Sequence, residues 1–128
     1  MIVADTDVLI DFLEGRRPGA QAVAAALAAG HLQTTAINCF ELLCGARQAR
    51  QRRAVHTLLD SIPALEVDRN AAQKAAETRL ELDRTGMTIG MADSLIAGIV
   101  LLHGATLLTR NRRHFERVPL LSLVDLAD

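Results

Sequence analysis

Apolar and polar positions change period repeatedly along this chain. Ile2, Val3 and Ala4 form a short continuous apolar run, which predicts a buried strand. Val8, Leu9, Phe12 and Leu13 recur at helical spacing, and Gly15 and Pro18 end that helix. An alanine-rich helix is predicted from Gln21 to Ala29, then a strand from His31 to Thr35. Two helices follow, Asn38 to Ala49 and Arg50 to Ser61, and a short strand from Leu65 to Val67. The longest predicted helix runs from Asn70 to Thr85 and closes at Gly86. Met91 to Leu102 is apolar almost all round, the pattern of a buried helix. A strand from Thr106 to Thr109, a helical turn and a last strand near Leu120 to Leu123 complete the reading.

Strands that alternate with helices imply βαβ units and a parallel sheet. The 128 residues, half of them hydrophobic, suit one domain over 1–128 with a core that needs no disulfide or metal. In such sheets ligands gather beyond the carboxyl ends of the strands. The polar residues just after each strand are therefore the first place to look for chemistry.

Asp5 follows the first strand, and Glu41 falls in the first turn of the helix after the second. Asp93 opens the buried helix, and Asn111 follows the strand that ends at Thr109. Three carboxylates brought together there repel one another unless a cation sits between them. Hard oxygen donors suit Mg²⁺ or Mn²⁺, and such an ion can activate a water and stabilise charge on a phosphodiester. Each residue also has a plainer reading. Asp5 suits the N-cap of the first helix. Asn38 and Glu41 have nearly the spacing of a capping box. A carboxylate near a helix N-terminus is stabilised there by about 0.3–1 kcal/mol without any catalytic role. As a set, acids set beside apolar stretches such as MADSLIAGIV and NCFELLCG call for partners, and a shared cation is one.

Charge and composition narrow the classes. Fourteen basic and fifteen acidic residues give a net charge of −1, which excludes a uniformly basic nucleic-acid coat. Aromatic residues are 2% of the chain, too few for a surface that stacks bases on rings. Cys39 and Cys44 do not make a disulfide framework and read as small core residues. Phe12, Phe40 and Phe115 likewise read as core, and the four histidines show no metal-ligand spacing. The apolar start lacks a basic flank, and no run is long enough to span a bilayer, so a cytoplasmic protein without membrane contact is expected.

The segments IVADTDVLIDFL, TTAINCFELLCGAR and GMADSLIAGIVLLHGATLLTRNRRHF, in that order, resemble a PIN-domain ribonuclease of the VapC toxin type. The resemblance covers nearly the whole chain. It implies a three-layer α/β/α sandwich around a parallel sheet and a Mg²⁺- or Mn²⁺-dependent endoribonuclease. Asp5, Glu41 and Asp93 match the acidic metal site, with Asp5 and Asp93 holding the ion and Glu41 orienting or deprotonating the attacking water. Thr6 and Thr109 match supporting hydroxyl residues. Asn111 stands where many members have a fourth Asp, so three carboxylates are left, a set that matches one ion better than two. The resemblance also implies 5′-phosphate and 3′-hydroxyl products, a cognate antitoxin whose tail covers the site, and a homodimer.

Thirteen of the fourteen basic residues are Arg, gathered in Arg47, Arg50, Arg52 and Arg53 and again in Arg110, Arg112, Arg113 and Arg117. Arg forks match phosphate oxygens, so Arg47, Arg110, Arg112 and Arg113 are candidate RNA contacts, although any one of them also suits a solvated helix face. Two other classes compete. The Asp5-Thr6-Asp7 run is similar to the start of haloacid dehalogenase-like phosphatases, but those enzymes, like receiver domains, need a late Lys, and none follows Lys74. A non-catalytic PIN-like binding module, with Asn111 marking lost activity, is the other alternative.

Overall fold

The computed structural model describes residues 1–126. Five strands, β1 (Ile2–Ala4), β2 (Leu32–Thr35), β3 (Ala64–Leu65), β4 (Thr106–Leu108) and β5 (Ser122–Leu123), form one sheet in the order β3-β2-β1-β4-β5. Every neighbouring pair is parallel. Alternate residues of the central strands feed two separate cores, as the two-residue period of a strand requires. Ala4 and Leu108 pack below α1 (Thr6–Glu14), α2 (Gly19–Ala28) and α4 (Ala49–Asp60). Val3 and Leu107 pack on the other face against α5 (Arg69–Arg84), α6 (Met91–Leu102) and α7 (Arg112–Phe115). The helix α3 (Ala36–Gly45) serves both cores, Leu42 on one side and Ile37 on the other. This is the three-layer α/β/α sandwich, and burial on both faces explains why β1 reads as an unbroken apolar run.

Local chemistry sets the helix ends. Gly15 ends α1 in the left-handed conformation at φ 70°, and its N–H donates to the carbonyls of Asp11 and Phe12. Asp68 caps α5 by accepting from the Ala71 N–H at 2.8 Å. On α6, a Cβ at Gly98 would lie 2.6 Å from the Ala75 backbone nitrogen, so α5 and α6 can pack this closely only with glycine there.

Several expectations are corrected by α3. The helix starts at Ala36, not Asn38, because Thr35 is its N-cap and accepts from the Asn38 N–H at 3.2 Å. Asn38 is therefore not a cap and Glu41 stands in the second turn; the reciprocal capping box lies instead on α4, between Gln48 and Gln51. With the helix so placed, Phe40 points away from both cores and is 67% exposed. Cys44 is exposed and Cys39 only half-buried, so neither is a core residue. Phe115 is fully buried as expected. Near the C-terminus, Leu120 lies outside β5, 95% exposed at a positive φ of 68°. Among the described residues no helix is long and apolar enough to cross a membrane.

Candidate active site

The strand order reverses at β1, whose neighbours are β2 and β4, so a crevice opens beyond the carboxyl ends of β1 and β4. Asp5 follows β1 and Thr109 follows β4, and they meet there: the Thr109 hydroxyl donates to Asp5 Oδ2 at 2.7 Å. Asp5 Oδ1 accepts from the Thr6 N–H at 2.8 Å and from Asn38 Nδ2 at 2.9 Å. Asp5 is thus both the N-cap of α1 and a nearly buried carboxylate with three protein donors. Asn38 is fully buried and is the hub of this network. Its Oδ1 accepts from the Thr35 hydroxyl at 2.6 Å, and its amide also donates to Thr6 Oγ1 at 3.0 Å. The Thr6 hydroxyl donates onward to Glu41 Oε1 at 2.6 Å. A chain of hydrogen bonds therefore runs from β2 through Asn38 and Thr6 to Glu41, and a parallel one runs from β4 to Asp5.

Asp93 approaches from the first turn of α6. Burial, and then the negative charge of Asp5, push its pKa above the ordinary value of 3.8; the nearby His114 opposes the rise and Glu41 adds to it. Asp5 and Glu41 thus both lie within electrostatic reach of Asp93. Its one close basic neighbour is His114 Nδ1, 3.6 Å from Oδ2. The same His114 nitrogen lies 3.1 Å from Asn111 Nδ2, which places Asn111 on the Asp93 side of the crevice. The expected residues Asp5, Thr6, Glu41, Asp93, Thr109 and Asn111 are therefore brought to one end of the sheet.

Further residues were missed by the sequence reading. Asn38 looks like a cap when the helix start is misplaced by two residues. His114 carries no ligand spacing. Asp7 and Asp11 lie one turn apart on α1, and both bind Arg110. The Arg110 N–H donates to Asp7 Oδ2 at 2.9 Å, and its guanidinium pairs with the buried Asp11 at 2.7 Å. Burial, and then the charge of Asp5, raise the pKa of Asp7, against the Arg110 and Val8 N–H donors. An acid inside the apolar stretch VLIDFL was the one available signal for Asp11.

The arginines differ in availability. Besides Arg110, Arg112 is engaged, donating to the Val124 carbonyl at 2.6 Å and lying near Glu116 and Asp125. Arg47 and Arg113 are exposed, as are Arg50 and Arg53 along α4, while the exposed Arg52 donates to the Arg47 carbonyl at 2.6 Å. A groove of about 300 Å³ between α1, α3 and α4 starts beside Glu41 and is lined by Ile10, Leu13, Leu42, Val55 and Arg50 among others.

Among the described residues no group of three or more His, Cys, Asp or Glu side chains stands close enough together to hold a metal ion as it is. The donors nevertheless fit a hard cation. They are all oxygens, they repel one another, and the three protein donors on Asp5 leave part of its acceptor capacity free.

A family model described as PIN domain matches residues 2–121. The chain belongs to the PIN domain family. Within it the similarity is to proteins of the VapC type. The tRNA(fMet)-specific endonuclease VapC of Shigella flexneri is 30% identical over 118 residues, 89% of each chain. Ribonuclease VapC10 of Mycobacterium tuberculosis is 35% identical over 118 residues, 90% of this chain and 86% of the relative. Among solved structures, DNA-bound VapBC from Salmonella typhimurium has a TM-score of 0.86 at 27% identity, covering 97% of this chain and 96% of that one.

Proposed function

We infer that this chain is an endoribonuclease toxin that hydrolyses RNA phosphodiester bonds with Mg²⁺ or Mn²⁺ bound among Asp5, Glu41 and Asp93. The observation that carries the reading is the gathering of these acids at the strand-order reversal, with Asp5 and Glu41 joined through Thr6 and Asn38. The ribonuclease and endonuclease names of the relatives support it.

When bound, the cation would supply Lewis acidity and offset charge on the phosphoryl oxygens. The protein's own residues have separate tasks. Three donors hold the Asp5 carboxylate in one orientation, so it presents a fixed ligand oxygen. The Thr6 hydroxyl holds Glu41 by Oε1, which leaves Oε2 to orient an attacking water or take its proton. Asp93 is held least and can adjust to the cation. The exposed arginines of α4 suit the phosphate backbone of an RNA led to this edge. The groove beside Glu41 suits a segment of a cognate antitoxin, and similar solved structures include VapBC from Salmonella typhimurium and VapBC-1 from Haemophilus influenzae. Self-association is a further expectation, for which the exposed Phe40 and Leu43 offer apolar surface.

The test is expression in cells of the wild-type chain and of Asp93→Ala, followed by mapping of new RNA 5′ ends. Wild-type-specific ends bearing a 5′-phosphate, lost on chelation and restored by Mn²⁺, are expected. Cation binding without any new ends would favour a non-catalytic binding module.

A further inference from the structure

Asp11 is only 2% exposed, yet it is an acid with one cationic partner. Its Oδ2 accepts from Arg110 Nε at 2.7 Å and its Oδ1 from Nη2 at 3.3 Å, a forked pair. An ion pair with one buried partner is a poor source of stability, because an apolar residue of similar volume often does as well. What a fork supplies is position, since two hydrogen bonds fix both the place and the plane of the guanidinium. The main chain of Arg110 is held as well, by its N–H to Asp7 Oδ2 at 2.9 Å. α2 closes over Asp11, where a Cβ at Gly19 would overlap the carboxylate, while the Arg110 side chain is 46% exposed. Helix α1 therefore grips Arg110 at two points. The residues on either side are Thr109, which donates to Asp5, and Asn111, whose N–H donates to Thr109 Oγ1 at 3.0 Å.

We propose that Arg110 is a positioning residue of the nuclease site: clamped by Asp7 and Asp11, it holds the turn between β4 and α7 so that Thr109 orients Asp5 and Asn111 stays beside His114 and Asp93. This rests on the nuclease reading above. Two of the guanidinium nitrogens, Nε and Nη2, are committed to Asp11, which sets Arg110 apart from the exposed arginines of α4. The clamp also gives Asp11 and Gly19 a role in a reaction whose atoms they do not touch.

The test compares Asp11→Asn, Arg110→Ala, Arg110→Lys and the double variant Asp11→Asn/Arg110→Ala. Cleavage kinetics are measured well below the melting temperature, and the salt dependence of RNA binding is measured in an Asp93→Ala background. The clamp predicts that kcat falls at least tenfold in both single variants while KM and the salt slope stay at the wild-type value. The double variant is then no slower than the slower single, and Arg110→Lys restores little because an ammonium cannot form the fork. A raised KM and a flatter salt slope with kcat preserved in Arg110→Ala would make Arg110 an RNA ligand and overturn the proposal. A lowered melting temperature with unchanged kcat would make the pair a brace of the fold only, and overturn it equally. A readout independent of cleavage is the Arg110 Nε–H resonance. It should exchange slowly, stay in place when RNA is added to the Asp93→Ala protein, and be lost in Asp11→Asn. A signal that exchanges freely or moves with RNA sinks the clamp even if all variants are inactive. A protected signal in a wild-type protein that cuts no RNA would retain the clamp and reject the nuclease reading.

Discussion

Asp5 and Asp93 stand at the same crevice but are built in opposite ways. Asp5, at the junction of β1 and α1, has three protein donors from three different segments. Asp93, at the start of α6, has an imidazole 3.6 Å away and a pKa raised by burial and by its acidic neighbours. One half of the site is thus assembled with the fold, and the other carries repulsion that His114 offsets only in part. The contrast shows that an acidic site can be fixed on one side and adjustable on the other, with the cost of like charges concentrated where a single helix end carries them.

The largest effect expected from breaking this contrast is on chemistry. Asp5→Ala should lower the rate of RNA cleavage by about 10³-fold, measured in single turnover, since it removes both a ligand and the acceptor of the surrounding network. A loss of less than tenfold would place the chemistry elsewhere. The next is on stability. Asn38→Ala strands the Thr35 hydroxyl and one acceptor site of Asp5, and should cost roughly 1–3 kcal/mol in urea unfolding. An unchanged midpoint would mean the assembled half is not held by that amide.

The smallest effect has the opposite sign. Asp93→Asn should stabilise the metal-free protein by roughly 0.5–2 kcal/mol, because it removes a carboxylate that burial and its acidic neighbours penalise. The pH dependence follows from the same cause. With a raised pKa, Asp93 binds its proton more readily in the folded chain than in the unfolded one. Its contribution to stability therefore grows as pH falls from neutral through that raised pKa, and levels off below the ordinary value of 3.8. Thermal melts of wild type and Asp93→Asn across that range should converge toward the acid end. Parallel curves would mean that Asp93 carries no such penalty.

Much of the fold is legible because its signals are local. Gly15 and the short apolar strand Ile2–Ala4 act over a few residues, and the structure places them as their chemistry demands. The errors cluster on α3, where a two-residue shift in the helix start moves every side chain by about half a turn. That shift hid the role of Asn38, and Phe40, read as core from its apolar neighbours, lies on the surface. No local pattern warns of it, since Thr35 and Asn38 are both acceptable caps.

The amino-acid sequence by itself determined the alternation of strands and helices, the two-sided burial of the sheet and the acids that follow its strands, because period and composition act along the chain. Only the tertiary structure decided which polar groups serve one another. The Thr109–Asp5 bond and the Arg110–Asp11 pair join residues 104 and 99 positions apart, and those partners are set by strand order and helix packing, which bring distant segments to the same edge of the sheet.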